Sequence, residues 1–471
     1  MLKRILVCFI SLTVVITMTA QAVIPVFAKD TVLKATKADE WTALFDRRGE
    51  KNTWLGADGF YTIPVDGNDS FGSAASGTKT FCIFSDTLMG TANSKGKLTY
   101  NAGMPSHTSA LLTGNMPSKD AIEFIYGNGG NGTLGQHMFG QRLWLYDGFV
   151  SGDALYIFAF PPSGDWKPER ADLVKIPIKS NGELNYSRYR IMSNIEQLHY
   201  RDENYLYSFG MGVTVNTESA HAVNPDGYVY IYGYRDALNE WSRKDLIVAR
   251  IKESDLTDFS KLTYWNGSEW GTNIEECAVL ISSVSCEMSV TYVPVGPYAG
   301  KYIAVYVNNT RSSEVMYAIG DSLYGPFDTP VKFYDTPEFG QKDGSGNGEL
   351  VVYNAKAHPH LSWGDQLLIS YNVNTTGNEQ YTTDYHPRFV YLDLDPEKEY
   401  VREEESVPDE NTGEQDTDTE NKNENTHTDK ESVPDGKKDN KWVLPTVIAA
   451  AAAVAIGGVV GVVAFKKKKK G

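Results

Sequence analysis

Short apolar and aromatic segments, separated by Gly, Asp, Asn and Pro, run through most of the chain between residues 50 and 395. Each is about the length of one strand and is rich in β-branched and aromatic residues, which favour strands. Such segments at short intervals are typical of an all-β sandwich, barrel or propeller. Only 38–47 and 252–259 have a pattern suited to a helix. The segments are FCIFSDT (81–87), RLWLYDG (142–148), ALYIFAF (154–160), YVYIYGY (228–234), LIVARI (246–251), YIAVYV (302–307), VMYAIG (315–320), LLISYN (367–372) and RFVYLDL (388–394).

A weak repeat favours one of these folds. In each unit a polar residue precedes a strand, a turn follows, and an aromatic strand comes next. Such a pair forms the inner hairpin of one four-stranded blade, and five pairs suit the length of a single-domain propeller. We therefore predict an all-β fold, a five-bladed β-propeller, with a β-sandwich enzyme as the alternative. The units are DGFYTIPVDG…TKTFCIFSDT (58–87), QRLWLYDGFVSGDALYIFAF (141–160), SAHAVNPDGYVYIYGYR (219–235), CEMSVTYVPVGPYAGKYIAVYVNN (286–309) and NAKAHPHLSWGDQLLISYN (354–372).

The two ends of the chain predict export and a membrane anchor. Residues 1–28 have a basic start, an apolar run and small residues before Lys29, as in a secretory signal peptide. Residues 442–465 carry no charge and are long enough for one transmembrane helix, and the lysine-rich tail 466–471 would stay cytoplasmic. The domain over 29–396 would then be extracellular, on a single-pass anchor of a Gram-positive-type bacterium.

Much of the net charge of −16 lies between this domain and the anchor. Residues 397–441 are charged and polar with almost no aliphatic side chains, so they cannot bury enough apolar surface to offset the entropy of ordering. We expect a disordered linker there. No basic patch indicates a nucleic-acid partner, and we expect a monomer.

Cysteines are too few for a disulfide framework. Cys82 lies in an apolar strand and is expected to be a small buried hydrophobic residue. Cys277 and Cys286 bracket the segment AVLISSVS, and whether they pair across a hairpin stays open.

Three carboxylates, Asp58, Asp86 and Glu287, lie at or near the ends of strands in the predicted inner hairpins. The innermost strands of a propeller line its central channel, so polar residues that lead them converge on one pocket. Glycoside hydrolysis generally needs one carboxylic acid and one carboxylate on either side of the bond. Apolar neighbours around Glu287 predict a raised pKa, as a general acid requires. The structural alternative is that Asp58-Gly59 forms a turn and Asp86 caps a strand.

Other residues of the same units are candidates for contact with substrate. Lys356 could neutralise a carboxylate or bind a sugar hydroxyl. His358 and His360 lie on one face of a strand, but without a third ligand nearby we predict no metal site and no cofactor, and a calcium ion in the channel stays open. Aromatic rings could stack on sugars, although most are expected in the core. The predicted substrate-binding residues are Trp54, His221, Lys356, His358, Tyr371, Asn372 and Arg388.

Two groups of motifs resemble a bacterial exported family long filed as a domain of unknown function, which is similar to endo-D-arabinanases. WLGADGFYTIP (54–64) with TKTFCIFSDT (78–87) resembles the opening of that family. YNAKAHPHLSWGDQLLISYN (353–372) with YHPRFVYLDL (385–394) resembles its last blade. The resemblance extends over most of the segment between these motifs, although the middle shares only the general pattern of residues and no specific motif.

The resemblance implies a five-bladed propeller of the broad class that includes furanosidases, with Asp58 and Asp86 as catalytic carboxylates. Glu287 is supported by the unit pattern alone. Ser85 stands where the family pattern would have glycine, which leaves a different substrate open. We predict a cell-surface glycoside hydrolase acting on a furanose-containing, arabinan-like or related polysaccharide. The alternative is a non-catalytic glycan-binding propeller or adhesin, because fold analogy alone does not transfer function.

Overall fold

A computed structural model of the protein describes residues 32–164, 167–240 and 243–398. The predicted signal peptide, transmembrane helix and cytoplasmic tail, and all but the first two residues of the predicted linker, lie outside these ranges. Within the described residues, no helix is long and apolar enough to cross a membrane.

The described part of the chain is all-β, as the spacing of its apolar segments predicts. The single α-helix within it, α1, covers Asp39–Leu44, inside the first of the two helix-capable segments. Short 3₁₀ turns lie at Asn128–Gly130, Tyr186–Arg188, Glu196–Leu198, Glu253–Asp255, Phe259–Lys261, Ile274–Glu276, Pro359–Leu361 and Thr382–Asp384. The strands in chain order are β1 (Lys34–Lys37), β2 (Thr53–Ala57), β3 (Tyr61–Pro64), β4 (Lys79–Phe84), β5 (Thr87–Ala92), β6 (Leu98–Gly103), β7 (Thr108–Thr113), β8 (Ile122–Ile125), β9 (Trp144–Ser151), β10 (Ala154–Phe160), β11 (Asp172–Pro177), β12 (Arg190–Met192), β13 (His199–Arg201), β14 (Tyr205–Asn216), β15 (Tyr228–Ala237), β16 (Lys244–Lys252), β17 (Thr263–Trp265), β18 (Trp270–Gly271), β19 (Ile281–Ser282), β20 (Met288–Tyr292), β21 (Tyr302–Val307), β22 (Glu314–Gly320), β23 (Val331–Asp335), β24 (Leu350–Ala357), β25 (Gln366–Thr375) and β26 (Arg388–Asp393).

Antiparallel pairing arranges the described strands into five larger sheets and one three-stranded sheet, β2-β5-β6. The larger sheets follow one another along the chain: β3-β4-β7-β8, then β9-β10-β11-β12, then β13 to β18 with β19 beside β16, then β20-β21-β22-β23. The last is β24-β25-β26, which takes β1 as its outer strand. Strand β1 pairs with β26 from Lys34 opposite Asp393 to Lys37 opposite Val390, so the first and last strands share a sheet.

One strand of each larger sheet lines a shared central cavity: β3, β9, β14, β20 and β24. Consecutive members of this set contact each other in that order. Strand β3 also packs beside the end of β24. The Oγ1 of Thr62 in β3 lies 2.8 Å from the Nδ1 of His358, the residue that follows β24. Asp58, just before β3, meets Tyr353 early in β24, so these two strands run in the same direction. We call the end of the inner strands at Asp58 the acid end and the opposite end the far end.

Three apolar clusters fill the spaces between neighbouring sheets. The largest joins the first four large sheets, the second joins β20–β23 to β24–β26, and the third joins β25 and β26 to α1, β2, β4, β7 and β8. The third is built of aromatic rings, among them Phe45 stacked on Phe389 with 5.7 Å between centroids. Offset and edge contacts of this kind add to the burial of apolar area, so these sheets are held face to face.

The prediction of the inner hairpins is wrong in the third unit. Its inner strand is β14, upstream of the predicted 219–224 segment, and His221 lies in the turn between β14 and β15 with φ +56°. Strand β14 is bulged between Phe209 and Gly212, and a Cβ on Gly210 would strike the Phe158 ring. Glycines at a bulge weaken the strand signal in the sequence, which explains the error. The hairpins β3–β4, β9–β10, β20–β21 and β24–β25 match the other four units.

The cysteines of the described residues are free thiols. Cys82 is buried in β4, as expected for a small hydrophobic residue. Cys277 and Cys286 do not form a disulfide, so the pairing that the sequence left open is absent.

Candidate active site

Asp58 and Asp86 lie at two matching breaks in the strands of the first unit. Strand β2 leads into β3 across Asp58, and β4 leads into β5 across Asp86. The backbone N–H of Asp58 donates to the carbonyl of Asp86 (3.1 Å), and the N–H of Ser85 donates to the carbonyl of Asp58 (2.8 Å). Gly59 makes the turn at φ +61°, a conformation that other residues adopt only with strain. The breaks therefore hold the two acids side by side at the acid end.

The Asp58 carboxyl is largely enclosed. Its Oδ2 accepts a hydrogen bond from the Tyr353 hydroxyl (3.2 Å), while its buried Oδ1 has no hydrogen-bond partner among the described residues. Burial raises the pKa of Asp58 well above its ordinary value, and the nearby charges of Asp86 and Glu287 raise it further. Asp58 therefore keeps its proton at pH values where an exposed aspartate is ionised.

The surroundings of the Asp86 carboxyl destabilise its negative charge less than those of Asp58 do. Burial raises the pKa of Asp86 to about 6, but a hydrogen bond with Trp144 and the charge of Arg142 oppose the shift. The Tyr385 hydroxyl donates to the Asp86 carbonyl oxygen (2.8 Å). Asp86 is therefore the acid of the pair that ionises first as the pH rises, and Asp58 the one that keeps its proton longer.

Glu287 is more deeply buried and immediately precedes β20. It is 3% exposed, its Oε1 accepts from the Asn354 amide (2.9 Å), and its Oε2 contacts the Lys356 ammonium. Burial raises the pKa of Glu287, against the opposing effects of Lys356 and of a hydrogen bond with Tyr61. The direction is the one predicted from its apolar neighbours, but both oxygens of this carboxylate are already held by protein groups.

Lys356 is buried and lines the central cavity. It is 2% exposed, contacts Glu287, and lies 4.0 Å above the ring of Tyr61. Burial lowers the pKa of Lys356, while Glu287 and Asp147 oppose the change. Of the two roles that the sequence allowed, neutralising a carboxylate matches this position.

Several predicted substrate-binding residues are enclosed. Trp54 is fully buried and stacks on Phe124 at 4.6 Å, so the sugar-stacking role predicted for it is wrong: it is a core residue. Tyr371 is buried and its hydroxyl donates to Glu338 (3.0 Å). Asn372 is 1% exposed, and neither atom of its amide has a hydrogen-bond partner among the described residues.

The remaining three lie apart from the acids. His221 is exposed in its turn, and its carbonyl accepts from Ser70 (2.9 Å). His358 is buried, and its ring nitrogens lie 2.8 Å from the hydroxyls of Thr62 and Ser370. The guanidinium of Arg388 donates to the carbonyls of His386 (3.0 Å) and Thr383 (2.5 Å) and lines a surface groove with α1. In the part of the chain that is described, no group of three or more His, Cys, Asp or Glu side chains could hold a metal ion.

Sequence reasoning missed several residues of the site: Tyr353, Asn354, Tyr385 and Asp147. Asp147 lies in β9, where its carboxylate accepts from the backbone N–H groups of Gly148 (2.8 Å) and Val213 (2.7 Å). Burial raises the pKa of Asp147 to about 8. A signal for it was present, because Asp147-Gly148 repeats the Asp-Gly pair of the first unit. Nothing in the sequence marks the tyrosines among so many aromatic residues.

The profile of a domain of unknown function, DUF5005, matches residues 39–394. The chain belongs to this family. No curated protein matches this chain. Among solved structures, a putative hydrolase from Bacteroides ovatus is 18% identical and aligns over 76% of this chain and 93% of its own, with a TM-score of 0.56. This likeness shows a shared fold.

Two carbohydrate-active enzymes are more distant. Bacillus subtilis levansucrase, solved with oligosaccharides, is 12% identical over 74% of this chain and 85% of its own, with a TM-score of 0.40. The GH43_1 enzyme from Xanthomonas citri is 13% identical over 75% of this chain and 92% of its own, with a TM-score of 0.34.

Proposed function

We propose that this DUF5005 protein is a glycoside hydrolase in which Asp58 is the general acid and Asp86 the carboxylate. The observation that carries the proposal is the convergence of these two acids at one end of the inner strands, in environments that separate their pKa values. Two carboxyl groups held in different protonation states are the chemical requirement for glycosidic cleavage. The hydrolase name of the Bacteroides ovatus protein agrees with this class.

In the proposed reaction, Asp58 gives its proton to the glycosidic oxygen as the bond to the anomeric carbon breaks. Asp86 either takes a proton from the attacking water or attacks the anomeric carbon itself. The separation of the carboxyl groups around a bound sugar decides between these, with about 5 Å for retention and roughly 6.5–9.5 Å for inversion. Glu287 lies beneath the pair, and its negative charge helps to keep the proton on Asp58.

We further propose that the five larger sheets are the blades of a five-bladed β-propeller. The contacts of the five inner strands around one cavity, and the sharing of the last sheet by β1 and β26, support this count. Such sharing closes a ring of sheets, because backbone hydrogen bonds tie the first strand of the chain to the last sheet.

We also propose a furanose-containing, arabinan-like polysaccharide as substrate and a location at the cell surface. The first rests on the motifs around Asp58 and Asp86, and the second on the composition of residues 1–28, 397–441 and 442–465.

Hydrolysis of polysaccharides by wild type and Asp58→Asn tests the proposal. Release of reducing sugar from arabinan, galactan, fructan and xylan would be followed over hours. We expect release by wild type and a loss of about 10²–10⁴-fold in Asp58→Asn, the usual contribution of a general acid. Asp66→Asn is the matched control, because Asp66 is an exposed residue after the far end of the same strand.

Two outcomes would contradict the hydrolase. One is equal release by Asp58→Asn and wild type. The other is retention of one polysaccharide on an affinity gel by both proteins without any release, which would establish the glycan-binding module instead.

A further inference from the structure

The loop between β8 and β9 is rich in glycine and is nevertheless anchored to the core. It covers residues 126–143, and in its later part Met138 and Phe139 are no more than 1% exposed. The Ser109 hydroxyl donates to the sulfur of Met138 (3.0 Å), and the Phe139 N–H donates to the Nε2 of His107 (2.9 Å). Side chains of this part of the loop are therefore held in place at the protein surface.

His137, in the same part of the loop, lies at the acid end near Asp86. Thr87, which follows Asp86, donates its backbone N–H to the Pro105 carbonyl (2.9 Å). Ser106, the next residue, donates its backbone N–H to the Nδ1 of His137 (2.9 Å). Both segments are at the acid end, because β4 ends there and β7, its antiparallel neighbour, begins there. Two hydrogen bonds thus connect the His137 ring to the segment that carries the candidate carboxylate.

The hydrogen bonds around His137 assign the position of its proton. The Nε2 of His107 accepts from Phe139, so its Nδ1–H donates to the Leu143 carbonyl (3.0 Å). The Ser106 hydroxyl oxygen accepts from the Leu143 N–H (3.0 Å), and its own hydrogen is directed to the Nδ1 of His137 (3.1 Å). That nitrogen therefore accepts from both the hydroxyl and the backbone N–H of Ser106. In a neutral imidazole the proton is then on Nε2.

The Nε2–H of His137 is directed away from the protein interior. The ring is half-buried, and no described residue forms a hydrogen bond with Nε2. This nitrogen is not among the buried polar atoms that lack a partner, so it reaches the surface. Burial and the positive charge of Arg142 lower the pKa of His137, which keeps the ring neutral. His137 thus presents one hydrogen-bond donor of fixed identity at the acid end.

We propose that His137 binds a neutral sugar unit of the substrate, next to the bond that is cleaved, by donating its Nε2–H to a hydroxyl oxygen. The proposal rests on the proposed hydrolase and adds a substrate-binding residue to its site. A donor held in this way favours a substrate that places a hydroxyl opposite it over an analogue that lacks the hydroxyl.

Two neighbouring side chains support a sugar as the ligand. Arg142 is exposed, and its charge acts on both His137 and Asp86. A guanidinium donates hydrogen bonds and cannot accept them, so this side of the acid end suits a ligand rich in acceptor oxygens. The negative charge of Asp86 offsets that of Arg142, which favours a neutral sugar over an acidic one. Met104, immediately before Pro105, is 48% exposed and offers apolar surface to the C–H groups of a sugar ring.

Two substitutions of His137 separate binding from a structural role. In His137→Asn the side-chain oxygen takes the place of Nδ1 and still accepts from Ser106, but the outward donor is lost. In His137→Gln the amide N–H reaches the place of Nε2, but the inner acceptor is lost. With the member of the arabinan, galactan, fructan and xylan panel that wild type cleaves, we expect His137→Asn to raise KM about 3–10-fold, the usual effect of one uncharged hydrogen bond. The value of kcat should change little, because binding is lost equally in substrate and transition state.

His137→Gln should restore most of the wild-type KM. His221→Asn is the matched control, because His221 is exposed in a far-end turn with φ +56°, which asparagine tolerates. A purely structural His137 would give the reverse order, with His137→Asn like wild type and His137→Gln impaired and less stable to urea. That order, or a KM of His137→Asn equal to that of His221→Asn, would overturn the proposal.

Chemical labelling of the unaltered protein covers the case in which the variants do not fold. Diethyl pyrocarbonate modifies exposed neutral imidazoles, and mass spectrometry identifies the modified residues. Bound polysaccharide should protect His137 and leave the labelling of His221 unchanged. Equal labelling of His137 with and without a polysaccharide that an affinity gel retains would overturn the proposal. Protection does not require cleavage, so absence of sugar release by wild type would refute the hydrolase alone, while the labelling would decide the sugar contact of His137.

Discussion

At the scale of single residues, the two acids differ because of what surrounds each carboxyl group. Asp58 has one oxygen without a partner among the described residues and two negative neighbours, which favour its protonated form. Asp86 has a hydrogen bond from Trp144 and the positive charge of Arg142, which favour its ionised form. Neighbouring backbone positions thus give one proton donor and one carboxylate.

This difference predicts a bell-shaped dependence of hydrolysis on pH. Asp86 must be ionised, and its pKa of about 6 means that activity should rise as the pH passes through that value. Asp58 must be protonated, so activity should fall only at a higher pH. The measurement is kcat/KM between pH 4 and 10. Asp86→Asn should lose about 10²–10⁴-fold at the optimum. An acidic limb near pH 4 would show that Asp86 has an ordinary pKa.

At the scale of elements, the breaks between β2 and β3 and between β4 and β5 create the site. Strand β2 approaches the segment before β26 so closely that Gly56 lies directly against the Tyr385 carbonyl. Only a residue without a Cβ allows this approach. The contact places the Tyr385 hydroxyl on the Asp86 carbonyl, so the packing of two distant segments fixes the surroundings of the acids.

Gly56→Ala should therefore weaken both stability and activity. A Cβ at this position would push Tyr385 away, and overpacking of this kind costs about 1–3 kcal/mol of unfolding free energy. Urea denaturation and the rate of sugar release would measure the two effects. Gly77→Ala is the control, since a Cβ on Gly77 meets nothing within 4 Å. Equal stability of the two variants would contradict the close approach.

At the scale of the whole molecule, the pairing of β1 with β26 joins the two ends of the fold. Leu33, just before β1, is 1% exposed and packs in the apolar cluster between the fourth and fifth large sheets. Its backbone N–H donates to the Tyr317 hydroxyl (3.3 Å). The beginning of the domain thus stabilises sheets that the chain completes only after some 300 further residues.

Leu33→Ala should lower the unfolding free energy by about 2–5 kcal/mol, the usual cost of removing a buried leucine side chain. Unfolding should remain a single transition, followed by tryptophan fluorescence and circular dichroism, because the sheets share their core. Val32→Ala is the matched control, as the neighbouring Val32 is 53% exposed. A loss below about 0.5 kcal/mol for Leu33→Ala, typical of surface substitutions, would contradict the closing role of this segment.

Local sequence patterns predicted most strands and the positions of the two acids, but they did not predict which groups surround each side chain. Alternating apolar runs located four of the five inner hairpins, while the bulged, glycine-containing β14 concealed the fifth. Trp54 has an aromatic ring of the kind that stacks on sugars, but it packs against Phe124 in the core. Its burial depends on which strands pack together, and the local sequence does not show this. Asp147 was overlooked although it repeats the Asp-Gly pattern of Asp58.

The all-β class, most of the inner hairpins and the positions of Asp58 and Asp86 at strand ends could be predicted from the order of residues along the chain. These depend on neighbours along the chain, through strand periodicity and turn chemistry. The higher pKa of Asp58 and the contact of Lys356 with Glu287 depend on how the folded chain packs. Charge and burial act through space, so a pKa depends on groups that the chain brings together from nearly 300 residues away, as with Asp58 and Tyr353.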